Sequence, residues 1–546
     1  MSSTVRNDIK NSTLHTVPHT ALQIEDIIDQ ILLKLVEDEQ VHKADLLSMA
    51  RCCKSFMAPS LNRLWANMKS VVPLLKLIDG TEEVQGAIII ADDLEYGELP
   101  LRFHAYAKRI HALEYDVTTN FVEIDVSTWI RLAQLEHALL PNLTSLRVTC
   151  TIAGGGMPTI ERDKALLLLP VLAQPSTIRS FTFTTPSVTS YDSRSEVGPF
   201  LSILGGYKLN LENLVVSGTF TARYLNRITK MQTLRSASLQ LALDSAIPAV
   251  LTALSSLPRL HTLKLEFLGI MPSRAELGSN TFQGLLNVVL TGGTSFISRT
   301  LASMACPCLE CVDIKIVPLN LSGVADIPPS QDKVLPYLQL SRFQTLKRIS
   351  LELSGCAPPS HSGQRQNRLN FVTSILENRR IEELVITSLG PEMCFSDHEV
   401  SELATAWPFL RILRLEHTWH PSEQPSFTSL NHLTTKCPHL KEISVTLCEG
   451  DTEDLYHNSV SRPGTSVWHL NLQHTSVKDY ASAGQYIDEL FPFLNKFSLH
   501  EEQACVYMQG VILRACQVVR RRARSRQKPV KCEREHVLPG VPDFTL

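Results

Sequence analysis

The chain has 546 residues, of which 44% are hydrophobic and 20% charged, and its formal net charge is −3. That length exceeds what one hydrophobic core normally organises, so several domains or a repeat array are expected. The balanced charge excludes nucleic acid as a main partner drawn by overall electrostatics, and any partner must be argued from local sites.

The opening MSSTVRNDIKNSTLHTVPHT has no apolar export core and reads as a disordered terminus over 1–20. The longest apolar run, ALLLLPVLA from Ala165 to Ala173, is too short for a membrane span and contains a proline. Thirteen cysteines, an odd number scattered over the chain, point to reduced thiols and a cytoplasmic and/or nuclear location.

Ile24, Ile27, Ile28, Ile31, Leu32 and Leu35 recur at helical spacing and predict a first amphipathic helix. A second helix is expected after Asp45 as N-cap, with Leu46, Leu47, Ala50, Cys53 and Met57 on one face. Cys52 lies about 100° round from Cys53, so the pair is poorly placed to chelate one metal and reads as packing. Pro59 is expected at the first position of a third helix, whose apolar face carries Leu61, Leu64, Trp65 and Met68. Such a unit supplies about 3–5 kcal/mol at most and must lean on a neighbour or a partner.

The stretch ALQIEDIIDQILLKL, then ADLLSMARCCKSFMAPSLNRLWANM, then VVPLLKLI resembles the F-box of the F-box family, in the form common in fungal members. Glu25 stands where that family usually has a proline. The resemblance covers 21–78 and implies docking onto a Skp-family adaptor and thereby a cullin–RING ubiquitin ligase. The anchors it suggests are Leu22, Ile24, Leu46, Leu47 and Trp65.

After about residue 100, within a segment expected to form one array over 79–500, one pattern returns fourteen times: apolar, two variable, apolar, one variable, apolar. It begins at Ile110, Leu143, Ile178, Leu211, Leu234, Leu260, Leu285, Leu309, Leu346, Ile381, Leu410, Leu440, Val467 and Leu494. Successive starts lie 23 to 37 residues apart, with helical stretches such as AIPAVLTALSSL, FISRTLASMA, RLNFVTSILEN and EVSELATAW between them. This resembles the irregular, long-repeat form of the leucine-rich-repeat superfamily. The fold class expected is therefore α/β, a small three-helix F-box-like module followed by a leucine-rich-repeat-like solenoid.

In such strands the variable positions point out on the concave face, which makes Arg147, Lys264, Asp313, Lys315, Arg348, Glu352, Arg414, Glu416 and His469 candidates for binding a target. Their mixed signs favour a protein surface over phosphate backbones. Cys306, Cys308 and Cys311 have ligand-like spacing, but the matching segment at Cys437 keeps one cysteine, so no metal is expected. The glycines of TGG at 291–293 read as a turn.

No nucleotide-binding, metalloprotease, hydrolase or kinase motif occurs, and neither an active site, a cofactor nor a small-molecule substrate is expected. A C-terminal helix over 501–527, ending in Arg520, Arg521, Arg522, Arg524 and Arg526, is expected as a cap or a nuclear-import signal, followed by a tail over 528–546. The sequence thus supports a substrate-recognition subunit of a ubiquitin ligase, or alternatively a repeat scaffold with no part in ubiquitin ligation.

Overall fold

A computed structural model describes residues 24–37, 43–90, 99–116, 124–133, 138–149, 175–184, 210–217, 228–241, 247–267, 277–317, 336–353, 375–388, 395–417, 425–447, 467–473, 480–491 and 493–500. The expected features at 1–20, Leu22, 165–173 and beyond residue 500 lie outside these. The chain forms two compact units, 1–240 and 241–546.

The first unit opens with helices α1 (Glu25–Glu37), α2 (Lys43–Cys52) and α3 (Lys54–Ala66). Ile28, Leu32, Leu46 and Phe56 form their core, and Met49, Cys53 and Leu64 pack against it. Two boundaries differ from expectation. Asp45 lies within the first turn of α2 instead of capping it, and Pro59 lies inside α3 instead of starting it. The break falls at Cys53, whose backbone is extended at φ −157° and ψ 164°. Pro59 comes just after the first turn, where the missing N–H removes one backbone bond, and packing keeps the helix continuous. Because α3 starts at Lys54, Phe56 turns inward and Met57, placed with the inner stripe from the sequence, is 49% exposed. Cys52 is exposed and donates its thiol to the Ser48 carbonyl at 3.2 Å, while Cys53 is half-buried.

Helix α3 runs straight into strand β1 (Asn67–Met68). A short α4 (Val72–Leu75) leads to an antiparallel hairpin of β2 (Thr81–Val84) and β3 (Ala87–Ile90). Its two-residue connection has Gln85 at φ 53° and Gly86 at φ 84°, the positive values that match the twist of paired strands. After α5 (Leu101–Ala107) come β4 (Ala112–Asp116), α6 (Val126–Ala133), β5 (Ser145–Thr149), β6 (Ser180–Thr184), β7 (Asn213–Ser217) and β8 (Ser236–Leu241). Strands β1, β4, β5, β6, β7 and β8 lie side by side in that order, all parallel.

The second unit repeats the scheme. Its elements are α7 (Ile247–Ser255), β9 (Thr262–Phe267), β10 (Asn280–Thr281), β11 (Asn287–Gly292), α8 (Thr294–Ser303), β12 (Met304–Ala305), β13 (Cys311–Ile316), β14 (Arg348–Leu353), β15 (Glu383–Ser388), α9 (Asp397–Ala406), β16 (Ile412–His417), α10 (Phe427–Lys436), β17 (Glu442–Thr446), β18 (His469–Gln473), α11 (Tyr480–Leu490) and β19 (Lys496–His500). Strands β10 and β12 form a separate small parallel pair. The other nine strands are parallel and ordered as in the chain. All fourteen sequence motifs are strands, and β1 adds a fifteenth.

Alternation explains most strands, β17 being an exception with all five residues buried. In β9, Leu263, Leu265 and Phe267 are buried while Thr262, Lys264 and Glu266 are not. The leading apolar residue of each motif, such as Leu260 or Leu410, is buried just before its strand. Three residues earlier another inward position closes the turn, filled by Leu257, Cys306, Phe343, Trp407, Cys437 or Phe491. One strand per repeat, with apolar residues on one side only, cannot bury that side alone, so neighbours stack into a continuous core. The fold is α/β, with N-terminal helices followed by parallel strands of the leucine-rich-repeat kind.

Gly292 ends β11 instead of standing in a turn. Its φ is 153°, and a Cβ there would come within 2.5 Å of the Phe267 carbonyl oxygen. Helices α9 and α10 are joined by polar contacts. Ser396 and Glu399 form a reciprocal cap on α9, and Asp397 accepts from the Ser426 amide and hydroxyl at 2.7 Å each and from the Ser429 hydroxyl. Among the described residues, no helix is long and apolar enough to cross a membrane.

Candidate functional site

The apolar stripe of α1 is wider than the core it covers. Residues 28 and 32 point inward and are at most 2% exposed, whereas Ile24, Ile27 and Ile31 are 48%, 38% and 36% exposed. At 100° per residue, positions 24, 27 and 31 share a flank of the helix beside 28 and 32. Leu47 and Met57, on α2 and α3, are likewise exposed. Ile27, Ile31 and Met57 were placed on apolar stripes but not among the expected anchors, because periodicity shows that a stripe exists but not how much of it a small core covers.

The other expected anchors lie deeper. Leu46 is buried among Ile28, Leu32 and Phe56. Trp65 is half-buried against Tyr106 of α5, with ring centroids 4.7 Å apart. Arg109 caps this junction: its guanidinium lies 5.8 Å from the Tyr106 ring centre and donates to the Ala58 carbonyl at 3.1 Å and to the Asn62 side chain. His111 donates its amide to the Ala66 carbonyl at 3.0 Å, and β1 pairs with β4. These contacts fix the three helices to the first strands of the same unit.

The open faces of the strands carry the expected target-binding residues, and most of them contact a side chain on a neighbouring strand. Arg147 on β5 stands 3.5 Å from Glu114 on β4, its register partner. In the second unit Lys315 reaches Glu352 at 2.6 Å, and Arg348 reaches Glu383 at 3.6 Å. Arg414 contacts Glu442 at 2.7 Å, and the same carboxylate oxygen lies 3.3 Å from His469 Nδ1. Glu416 accepts from the Ser444 hydroxyl at 3.3 Å. Lys264 is exposed, and one carboxylate oxygen of Asp313 is buried without a hydrogen bond among the described residues.

Burial lowers the His469 pKa below its usual 6.5, with Lys496 and Arg414 acting the same way and Glu442 opposing them. The imidazole therefore resists protonation even beside a carboxylate. Cys306 and Cys437, which fill equivalent turn positions, are pushed up to about 12 by burial. Burial also raises Cys311. Thiols held protonated in this way are poor nucleophiles and poor ligands. Among the described residues, no group of three or more His, Cys, Asp or Glu side chains is arranged to hold a metal.

No protein-family model matches the chain, and no curated protein matches it in sequence. Among the solved structures that resemble it, two are similar over 74% of its length. One is a leucine-rich-repeat protein of Leptospira interrogans, 15% identical, covered over 81% of its length, with a TM-score of 0.32. The other is a chain of the Toll–Spatzle complex of Drosophila, 10% identical, covered over 47% of its length, with a TM-score of 0.30. The assignment of the fold rests on strand order, register and alternating burial.

Proposed function

We propose that this chain is a substrate-recognition subunit of an SCF-type cullin–RING ubiquitin ligase, taking a Skp-family adaptor on its N-terminal helices and a protein target on its repeat sheet. The observation that carries the reading is the uncovered isoleucine flank of α1, Ile24, Ile27 and Ile31, in a segment whose sequence resembles an F-box. An apolar side chain moved fully out of water contributes about 1.5–3 kcal/mol, and Ile24, Ile27, Ile31 and Leu47, still 36–48% exposed, would each contribute part of that as the centre of a larger contact. The rigid junction through Trp65, Tyr106 and Arg109 would hold the first repeats at a fixed position relative to the adaptor. Catalysis would then be proximity, with bond chemistry left to the partner enzymes.

The test is co-expression with a Skp-family adaptor. Wild type co-purifies with it, and the double variant Ile27→Glu/Leu47→Glu does not, while its melting temperature is unchanged. Failure of the wild type to co-purify would overturn the reading. A second reading, a repeat scaffold outside ubiquitin ligation, is favoured by Leu46 and Trp65, two expected anchors that are engaged within the chain itself.

A further inference from the structure

The turn ahead of each strand in the second unit sets up two rows of outward side chains. Backbone amides define the first: Lys347 bonds to the Glu310 carbonyl, Glu382 to Lys347, Arg411 to Glu382, Lys441 to Arg411 and Trp468 to Lys441, at 2.7 to 3.0 Å. The residues of this row therefore stand one strand spacing apart, about 4.8 Å. The second row lies two residues upstream and includes Arg380, Phe409 and His439. The leading apolar residues of these repeats face the core, yet Phe409 is 57% exposed and Trp468 is 45% exposed. Phe493, in the corresponding turn before β19, is 71% exposed. Phe409 stacks on His439 at 11° between ring planes.

These rows enclose a shallow cleft of about 500 Å³ lined by Arg380, Glu382, Phe409, Arg411, His439 and Lys441. Lys347 is neutralised by Glu310 at 2.7 Å and Arg411 by Glu382 at 3.4 Å. Among the described residues Arg380 and Lys441 have no carboxylate partner, so the cleft carries an uncompensated positive charge beside exposed rings. On the open sheet faces, by contrast, most charges are already matched.

We infer that this cleft binds an acidic peptide segment of a protein partner that carries an aromatic or large aliphatic side chain among its carboxylates. The carboxylates would meet Arg380 and Lys441, and the apolar side chain would lie on Phe409 and His439. Aromatic rings beside cations also suit single-stranded nucleic acid, but that ligand needs a continuous basic track. Here Glu382 interrupts the row, and only two cations are left uncompensated. The inference rests on the reading of the repeats as the target-binding part and is independent of adaptor docking.

The test pans a random peptide library on the full-length protein, then measures the enriched peptides and an oligothymidylate by fluorescence anisotropy. The expected result is enrichment of sequences combining Asp or Glu with Phe, Tyr, Trp or Leu, with affinity falling as salt rises. Phe409→Ser, Arg380→Glu and Lys441→Glu should each weaken the enriched peptide about tenfold. Their far-ultraviolet circular dichroism and adaptor co-purification should match wild type, which separates this test from that of adaptor docking. The inference is overturned if no peptide is enriched, if enriched peptides lack acidic residues, if they bind all three variants as wild type, or if oligothymidylate binds more tightly than they do.

Discussion

The helices at 25–66 and the repeat strands solve the same problem of burying an apolar face, and they end with opposite surfaces. Each strand hides its apolar side against neighbouring repeats, and the charges on its other side pair across the sheet, as Lys315 does with Glu352. The helices lack such neighbours on one flank among the described residues, and Ile24, Ile27 and Ile31 stay 36–48% exposed. A stacked repeat is satisfied by copies of itself, whereas a lone three-helix unit keeps apolar surface that a partner can cover.

The contrast is broken most strongly at the core. Leu351→Ala in β14 and Ile28→Ala in α1 should each cost about 2–5 kcal/mol, because each removes a fully buried side chain and leaves a cavity. Ile27→Ala, one residue away and 38% exposed, should cost clearly less, about 1 kcal/mol. Chemical denaturation of the three variants checks this, and equal losses at 27 and 28 would mean that the flank is covered within the chain.

A smaller effect is expected where polar groups join repeats. Asp397→Ala removes the acceptor of the Ser426 and Ser429 bonds and should cost about 1.5–3 kcal/mol, as hydrogen bonds to an ionised group do. Smaller again is the Lys315 and Glu352 pair, whose side chains are 48% and 42% exposed. A double-mutant cycle with Lys315→Met and Glu352→Gln should return less than about 1 kcal/mol, shrinking further in salt.

The slightest effect is His469. Its folded pKa lies below 6.5, so between the two values the unfolded chain binds more protons. Acidification through that window therefore removes stability, and the contribution levels off about one pH unit above 6.5. The imidazole titration followed by NMR should have its midpoint under 6.5, and His469→Gln should flatten the acid limb of the stability profile.

Much of this architecture is legible in the sequence because repetition averages noise away. Each copy of the six-residue pattern is weak alone, yet fourteen copies fix the strand positions. Features that occur once are lost. Strand β1 is two residues long and exists because α3 delivers it beside β4. The helix break at Cys53 has no compositional mark, whereas Pro59 offers a misleading one. The β2–β3 hairpin turns on Gln85 and Gly86, a pair whose meaning depends on both φ values being positive. Surface chemistry is legible by type and not by pairing: Arg414, Glu442 and His469 are visible as charges, but their meeting depends on a register between separate repeats.

Among the described residues, each principal strand in a unit pairs with the strands before and after it, and the junctions share the same backbone bonds ahead of the strand. Adding or deleting one whole period would thus keep this backbone scheme and change the reach of the surface, at the cost of side-chain pairs such as Asp397 with Ser426 where they span the altered junction. Removing half a period would strand an orphan edge. Length is in this sense a tunable property of the protein, adjustable in steps set by the unit of stacking.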